Sequence, residues 1–354
     1  MTGAAGRPAL LVLRALGLGD LLAGVPALRA LRRGFPDHEL VLAAPRELGP
    51  PAALTGCVDR LLPAAGRDRA VPDALPRAAR RPRLAVNLHG RGPASHHLLL
   101  GVEPEELWGF RHPSVPEVAG PAWTPYEHER TRWCRLLRWY GLTADPDDVR
   151  IAPPAGPGRP PWPGAVVLHP GAQAAARRWP VERFAAVARE VGAAGHEVVV
   201  TAGPGEERSA RAVAESAGLP PSAVLGGDGG GVPFGELCAL IGAARCVVVG
   251  DTGLAHLATA LGTPSVVLFG PVSPELWGPP PGGRHIALWH PGADRDRGPS
   301  GARRAATSRP GDPHAGRPDP RLLRITVDEV VSAVFTAVAE PGRPGRLPAK
   351  VAGP

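Results

Sequence analysis

The chain has 354 residues, 44% of them hydrophobic, which is enough for two domains that each bury a core. Its net charge of +7 rests on 40 basic residues, all arginine but Lys350, scattered among 46 glycines and 45 prolines; this is a compositional bias that excludes no class but does not point to nucleic acid, and it suits an anionic substrate or a membrane surface. Cys57, Cys134, Cys238 and Cys246 lack C-x-x-C spacing, which argues against a zinc site or disulfide framework and for a reducing, cytoplasmic setting, and no stretch reaches the roughly 18 apolar residues of a membrane span.

In chain order, "ALLVLR" reads as a buried strand, followed by the glycine turn "GLGD" and a helical pattern from Leu21 to Arg32. Arg14 and Asp20 interrupt the early apolar run, so a strand and turn fit it better than a signal peptide. "HELVLAAP" is a second strand, and "RLAVNLHGRG" a later one that ends in a polar glycine loop. "EHERTRWCRLLRWYGL" is a helix with Trp133, Leu136, Leu137 and Tyr140 on its apolar face and Gly141 as its stop. Between Ala152 and Gly164, "APPAGPGRPPWPG" holds six prolines and three glycines in 13 residues and reads as a linker.

The second half repeats this grammar. Strands "AVVLH", "HEVVVTA", "CVVVG" and "SVVLFG" alternate with helices in "PVERFAAVAREVGAAG", "ERSARAVAESAG", "GELCALIGAA" and "GLAHLATALG". Such alternation predicts βαβ units and parallel sheets, and hence two Rossmann-like α/β domains facing a central cleft at the C-terminal edges of their strands. The expected division is an N-terminal domain over 1–152, a linker over 153–164, a C-terminal domain over 165–291, a flexible loop over 292–320 and a last helix within 321–340.

Several motifs carry chemistry. In "VVVGDTGLAHLATALG", Asp251, Thr252 and Gly253 form the turn into a helix whose free N–H groups suit an anion, with His256 in its first turn. An N-cap accounts for one of these polar residues, not for three together. Asp20 reads equally as a cap and as a base, and the third glycine of a dinucleotide fingerprint would fall on Leu22, so that motif is absent. Arg177, before "RWP", is placed to neutralise a diphosphate or to sit solvated in a loop. "AGPGEE" lacks the G-K-[ST] of a Walker site; Glu206 or Glu207 is either a ribose ligand or an ordinary first-turn acid. His89 and Arg91 in "NLHGRG", and His128 and Glu129 in "EHER", are acceptor-side candidates with a solvated surface as the equal alternative. The D-x-D of Asp294 to Asp296 lies in low-complexity sequence and is rejected as a metal site.

Taken together, "LRALGLGDLLAGVPALRAL", "HPGAQAAARRWPVERFA" and "GDTGLAHLATALGTPSVVLFGP" resemble the ADP-heptose:lipopolysaccharide heptosyltransferase family, glycosyltransferase family 9. The resemblance implies a GT-B architecture with the final helix packed back on the first domain. It also implies a metal-independent, inverting sugar transfer from a nucleotide-diphosphate donor, with no cofactor. Asp20 then matches the general base, Arg177 the cation before Trp-Pro, Asp251 the acid on the donor sugar, and Thr252, Gly253 and His256 the diphosphate turn. The implied partners are a nucleotide-sugar such as ADP-heptose and a cell-envelope glycan or glycolipid, met in the cytoplasm or at the inner membrane face, without nucleic acid. Two departures from the family pattern stand out: a serine-rich "R-x-S-S-x-G-D" loop reads "RALGLGD" here, and residues 292–320 lack a cysteine-containing pattern. A nucleotide-sugar epimerase of similar fold and a non-catalytic nucleotide-sugar binder are the competing readings.

Overall fold

The computed structural model describes residues 7–153, 162–226, 230–281, 284–291 and 311–339. Most of the proline-rich linker, residues 292–310 with the D-x-D motif, and Lys350 lie outside the described residues. The chain forms two compact units: Met1–Pro157 with Thr252–Leu261 and Glu275–Gly278, and Gly158–Asp251 with Gly262–Pro274 and Pro279–Pro354.

The first unit opens with β1 (Ala9–Leu13), whose Leu10 and Val12 enter one core while Leu11 and Leu13 enter another. A strand covered on both faces carries a continuous apolar run, as "ALLVL" does. The helical pattern after it is divided. Helices α1 (Leu18–Ala23) and α2 (Val25–Gly34) meet at Gly24, and Pro26 in the first turn of α2 has no N–H with which to extend the α1 ladder. Then come β2 (Glu39–Ala44), α3 (Gly49–Leu54), β3 (Arg60–Pro63), β4 (Leu84–Asn87), α4 (Ala94–Leu100), β5 (Glu106–Trp108) and α5 (Glu129–Trp139). Gly141, at φ +86°, ends α5 as expected, with the Leu142 N–H bonded back to the Leu137 carbonyl at 3.1 Å. All five strands are parallel in the order β3-β2-β1-β4-β5.

The second sheet is also parallel. Its elements are β6 (Val166–His169), α6 (Val181–Ala193), β7 (Val198–Thr201), α7 (Glu207–Ala217), β8 (Val224–Leu225), α8 (Phe234–Ala243) and β9 (Cys246–Gly250). After α9 (Gly253–Leu261), which clusters with the first unit, follow β10 (Ser265–Leu268), α10 (Pro274–Trp277), β11 (His285–Leu288), α11 (Pro320–Leu323) and α12 (Val327–Val338). The strand order is β11-β10-β9-β6-β7-β8. Each sheet reverses its winding at its first strand: β1 lies between β2 and β4, and β6 between β7 and β9. Open parallel sheets bind ligands outside the carboxyl ends of the strands at such a reversal.

One expectation is corrected. The last helix belongs to the core of the second unit. Val330, Ala333, Val334 and Ala337 of α12 join the core of the second unit with Val166, Val187 and Val266. The chain leading into α12 is tied to the same unit by the Trp179 indole N–H, which donates to the Ile325 carbonyl at 3.2 Å. Residues 311–319 do not run free either, because Ala176 bonds Ala315 and Asp319 through its N–H and its carbonyl, each at 3.1 Å. Among the described residues no helix is long and apolar enough to cross a membrane.

Candidate functional site

In the first unit the loops after β1 and β4 meet at the winding reversal. Asp20 sits in the first turn of α1 rather than ahead of it. Its carboxylate accepts from the Gly17 N–H at 3.1 Å and pairs with Arg69 at 2.7 Å. It therefore helps to cap its own helix, yet it is not buried in doing so. His89 follows β4. Burial and the Arg14 guanidinium push its pKa down to about 4, against the pull of Asp20, and its Nδ1 lacks a hydrogen-bond partner among the described residues. Arg91 is exposed on the same loop.

The start of α9 packs against the start of α1. A Cβ on Gly19 would stand 2.9 Å from Cδ2 of His256, and one on Gly253 would stand 3.2 Å from the Gly19 nitrogen. Gly253 thus permits close approach of a neighbouring turn of protein. His256 also meets the Trp277 ring edge-on, with centroids 5.7 Å apart. The Thr252 hydroxyl is sequestered from solvent with no hydrogen-bond partner among the described residues, just ahead of the nine-residue helix α9.

His128 and Glu129 are structural in their contacts. His128 caps α5: its Nδ1 accepts from the Arg130 N–H at 3.2 Å, which leaves Nε2–H to donate to the Gly278 carbonyl at 3.0 Å. Burial, with the Arg130 guanidinium beside it, lowers its pKa. Glu129 is 6% exposed and binds Arg14, Arg132 and the Trp133 indole. The solvated surface offered as the alternative for both does not hold, because the polar start of α5 is spent on contacts within the unit.

In the second unit the loops after β6, β7 and β9 carry the polar cluster. Arg177, in a short 3₁₀ turn, donates from Nη1 to the Asp251 carbonyl at 3.1 Å and lies 3.3 Å from its carboxylate. Asp251, 6% exposed, stands just beyond β9. Glu206 folds back over its loop, where its Oε2 accepts from the Gly203 N–H at 2.9 Å. A Cβ on Gly171 would stand 2.0 Å from that carboxylate, which would have to shift to admit it. Glu207 instead accepts from the Gly205 N–H at 3.2 Å.

His169, at the end of β6, escaped the sequence reading. Its Nδ1–H donates to the Thr201 carbonyl at 3.2 Å, and its Nε2 lies 3.5 Å from Glu206. Burial lowers its pKa and outweighs the carboxylate beside it. The one available signal was a histidine ending an apolar strand before Pro-Gly, and that cannot name Glu206 as its neighbour.

Two doubly wound parallel sheets, each gathering glycine turns and charged side chains where its winding reverses, define a protein of the GT-B class. The family model "Glycosyltransferase family 9 (heptosyltransferase)" matches residues 159–296. Lipopolysaccharide heptosyltransferase 3 of Escherichia coli is 36% identical over 116 residues, 32% of this chain and 33% of that protein. Lipopolysaccharide heptosyltransferase 1 of Pseudomonas aeruginosa is 32% identical over 167 residues, 44% and 43% of the two chains. The alignments thus span about a third to under half of the curated relatives. The solved E. coli ADP-heptose lps heptosyltransferase II shares the fold at a TM-score of 0.69 and 18% identity, over 93% of this chain and 98% of that one. A glycosyltransferase family 9 structure from Veillonella parvula does so at 0.68 and 18%, over 95% and 98%. These matches bear out the resemblance to glycosyltransferase family 9.

Proposed function

We propose that the protein moves a sugar, heptose or a close relative, from a nucleotide-diphosphate donor to a glycan or glycolipid acceptor of the cell envelope, by a metal-independent, inverting transfer. The observation that carries this reading is the contact between the starts of α1 and α9. It brings the Asp20 turn against Gly253 and His256, more than 200 residues away in sequence.

An inverting transfer needs a base at the acceptor hydroxyl and positive potential at the leaving diphosphate. Asp20 is the base. The N–H groups of α9, the Thr252 hydroxyl and His256 receive phosphate oxygens. Arg177 supplies fixed positive charge, and Asp251 accepts from donor-sugar hydroxyls. Glu206, whose carboxylate stands against His169 at the end of β6 and Gly171 in the loop after it, is the ribose ligand of choice over Glu207. His89 and Arg91, on the loop after β4, face the acceptor. The donor class follows from the family resemblance, with ADP-heptose the first to test, and a basic surface suits an anionic acceptor at the inner membrane face.

The test is a panel of nucleotide-sugars incubated with acceptor glycolipids, wild type against Asp20→Ala. Transfer with inversion is expected. The variant should bind donor normally and turn over about 10²–10⁴ times more slowly, as when a general base is lost. Epimerised sugar, or binding without transfer, would replace this reading with one of its competitors.

A further inference from the structure

In the sequence Arg14 only interrupts an apolar run, yet it is among the largest fully buried side chains, at 1% exposed. Its guanidinium spends its donors in three directions. Nε donates to the Asp20 carbonyl in α1, Nη1 to the Leu88 carbonyl beside His89, and Nη2 to Glu129 Oε1 at the start of α5, at 3.0 Å. The Trp133 ring lies beneath it, 5.1 Å away. Glu129 is held in turn by Arg132 and by the Trp133 indole N–H at 2.7 Å. Even the break between α1 and α2 makes room for it, since a Cβ on Gly24 would stand 3.0 Å from Nε.

We propose that Arg14 is the positioning residue of the catalytic base: one buried guanidinium sets the turn carrying Asp20 and the loop carrying His89 in a single frame, with Glu129 as its counter-charge. This rests on the reading of Asp20 as the base. The chemistry is specific to arginine. A planar fork satisfies three acceptors along fixed directions, while a lysine ammonium carries the same charge from one point and on a shorter stem. Arg14 touches the backbone of Asp20 rather than its carboxylate, so it acts on where the base stands. Misplacing a catalytic group by about 1 Å costs on the order of 10²-fold in rate.

The experiment compares Arg14→Lys, Asp20→Asn and the double variant, with ADP-heptose as donor, ADP as binding probe, and Val187→Ala, a core change in the second unit, as a control for lost stability. At a temperature where each variant is folded, Arg14→Lys should lower kcat about 10- to 100-fold. ADP affinity and donor KM should stay within about twofold, and Val187→Ala should leave kcat unchanged. Because Arg14 acts through Asp20, the double variant should be no slower than Asp20→Asn alone. A kcat for Arg14→Lys within twofold of wild type, or losses that multiply in the double variant, overturns the proposal.

Should the wild type transfer nothing, the proposed function fails on its own, and amide hydrogen exchange then decides the positioning role. Faster exchange over residues 17–24 and 88–91 in Arg14→Lys, and not in Val187→Ala, supports it. Unchanged exchange there refutes it.

Discussion

His96 is wholly buried with both ring nitrogens lacking partners among the described residues, flanked by Gly92 and Gly109, where any Cβ would strike the ring. Burial pushes its pKa down to about 4. An unfolded histidine titrates near 6.5, so between that pH and about 4 the unfolded chain takes up the proton first. Stability should therefore be full above pH ~6.5 and fall as pH drops toward 4, by up to about 1.4 kcal/mol per pH unit for this group, with His89 acting in the same direction. Urea midpoints at pH 7 and 4.5 test this: wild type should lose more than His96→Phe, and equal losses would clear His96 of the effect. At the donor end, Arg177 is held by the Asp251 carbonyl as well as by its carboxylate. Removing the side chain leaves the first contact in place. Calorimetry should show Asp251→Ala weakening the nucleotide-sugar while the nucleoside diphosphate stays within about twofold, whereas Thr252→Ala, His256→Ala and Arg177→Ala weaken both. Equal weakening of both ligands by Asp251→Ala would make its role structural.

Among elements, the contact of α1 with α9 is made by glycines at helix starts. Gly19 has no room for a Cβ against His256, while Gly49, at the start of α3, has open space around it. Gly19→Ala should displace His256 or the Asp20 turn and lower turnover at least about tenfold, through geometry of the same kind as a 1 Å misplacement. Gly49→Ala should be silent. Assays at matched folded fraction decide it, and parity between the two variants would mean that the α1–α9 contact has no part in the chemistry. The apolar runs of β1, β6, β9 and β10 were legible because strands buried on both faces show no alternation. Short β3 and β5 were not, since Arg60 and Glu106 at their starts are only partly buried or exposed and the apolar run between is two or three residues. The division at Gly24 was hidden because an amphipathic pattern continues across it while the backbone ladder does not.

For the molecule as a whole, arginine and helix N–H groups take the place of a metal in the proposed mechanism, so transfer should persist in excess EDTA. Activity lost to chelator and restored by Mg²⁺ or Mn²⁺ would overturn that part of the reading. What the sequence determined by itself were the features written in neighbouring residues: two runs of strand–helix alternation, the glycine turns after the strands, and the Asp-Thr-Gly-Leu-Ala-His segment with its family resemblance. Local periodicity records which face of an element is apolar, and turn chemistry records where the chain must bend. Neither records what covers that face. Only the tertiary structure decided that α12 closes the second core rather than the first. The same holds for the union of His169 with Glu206, 37 positions on, and for the pairing of Arg14 with Glu129 across 115 residues, which turned Glu129 from a candidate surface acid into part of a buried frame. A charge is drawn out of water only when a partner and a close-packed wall are ready to receive it, and both come from distant parts of the chain.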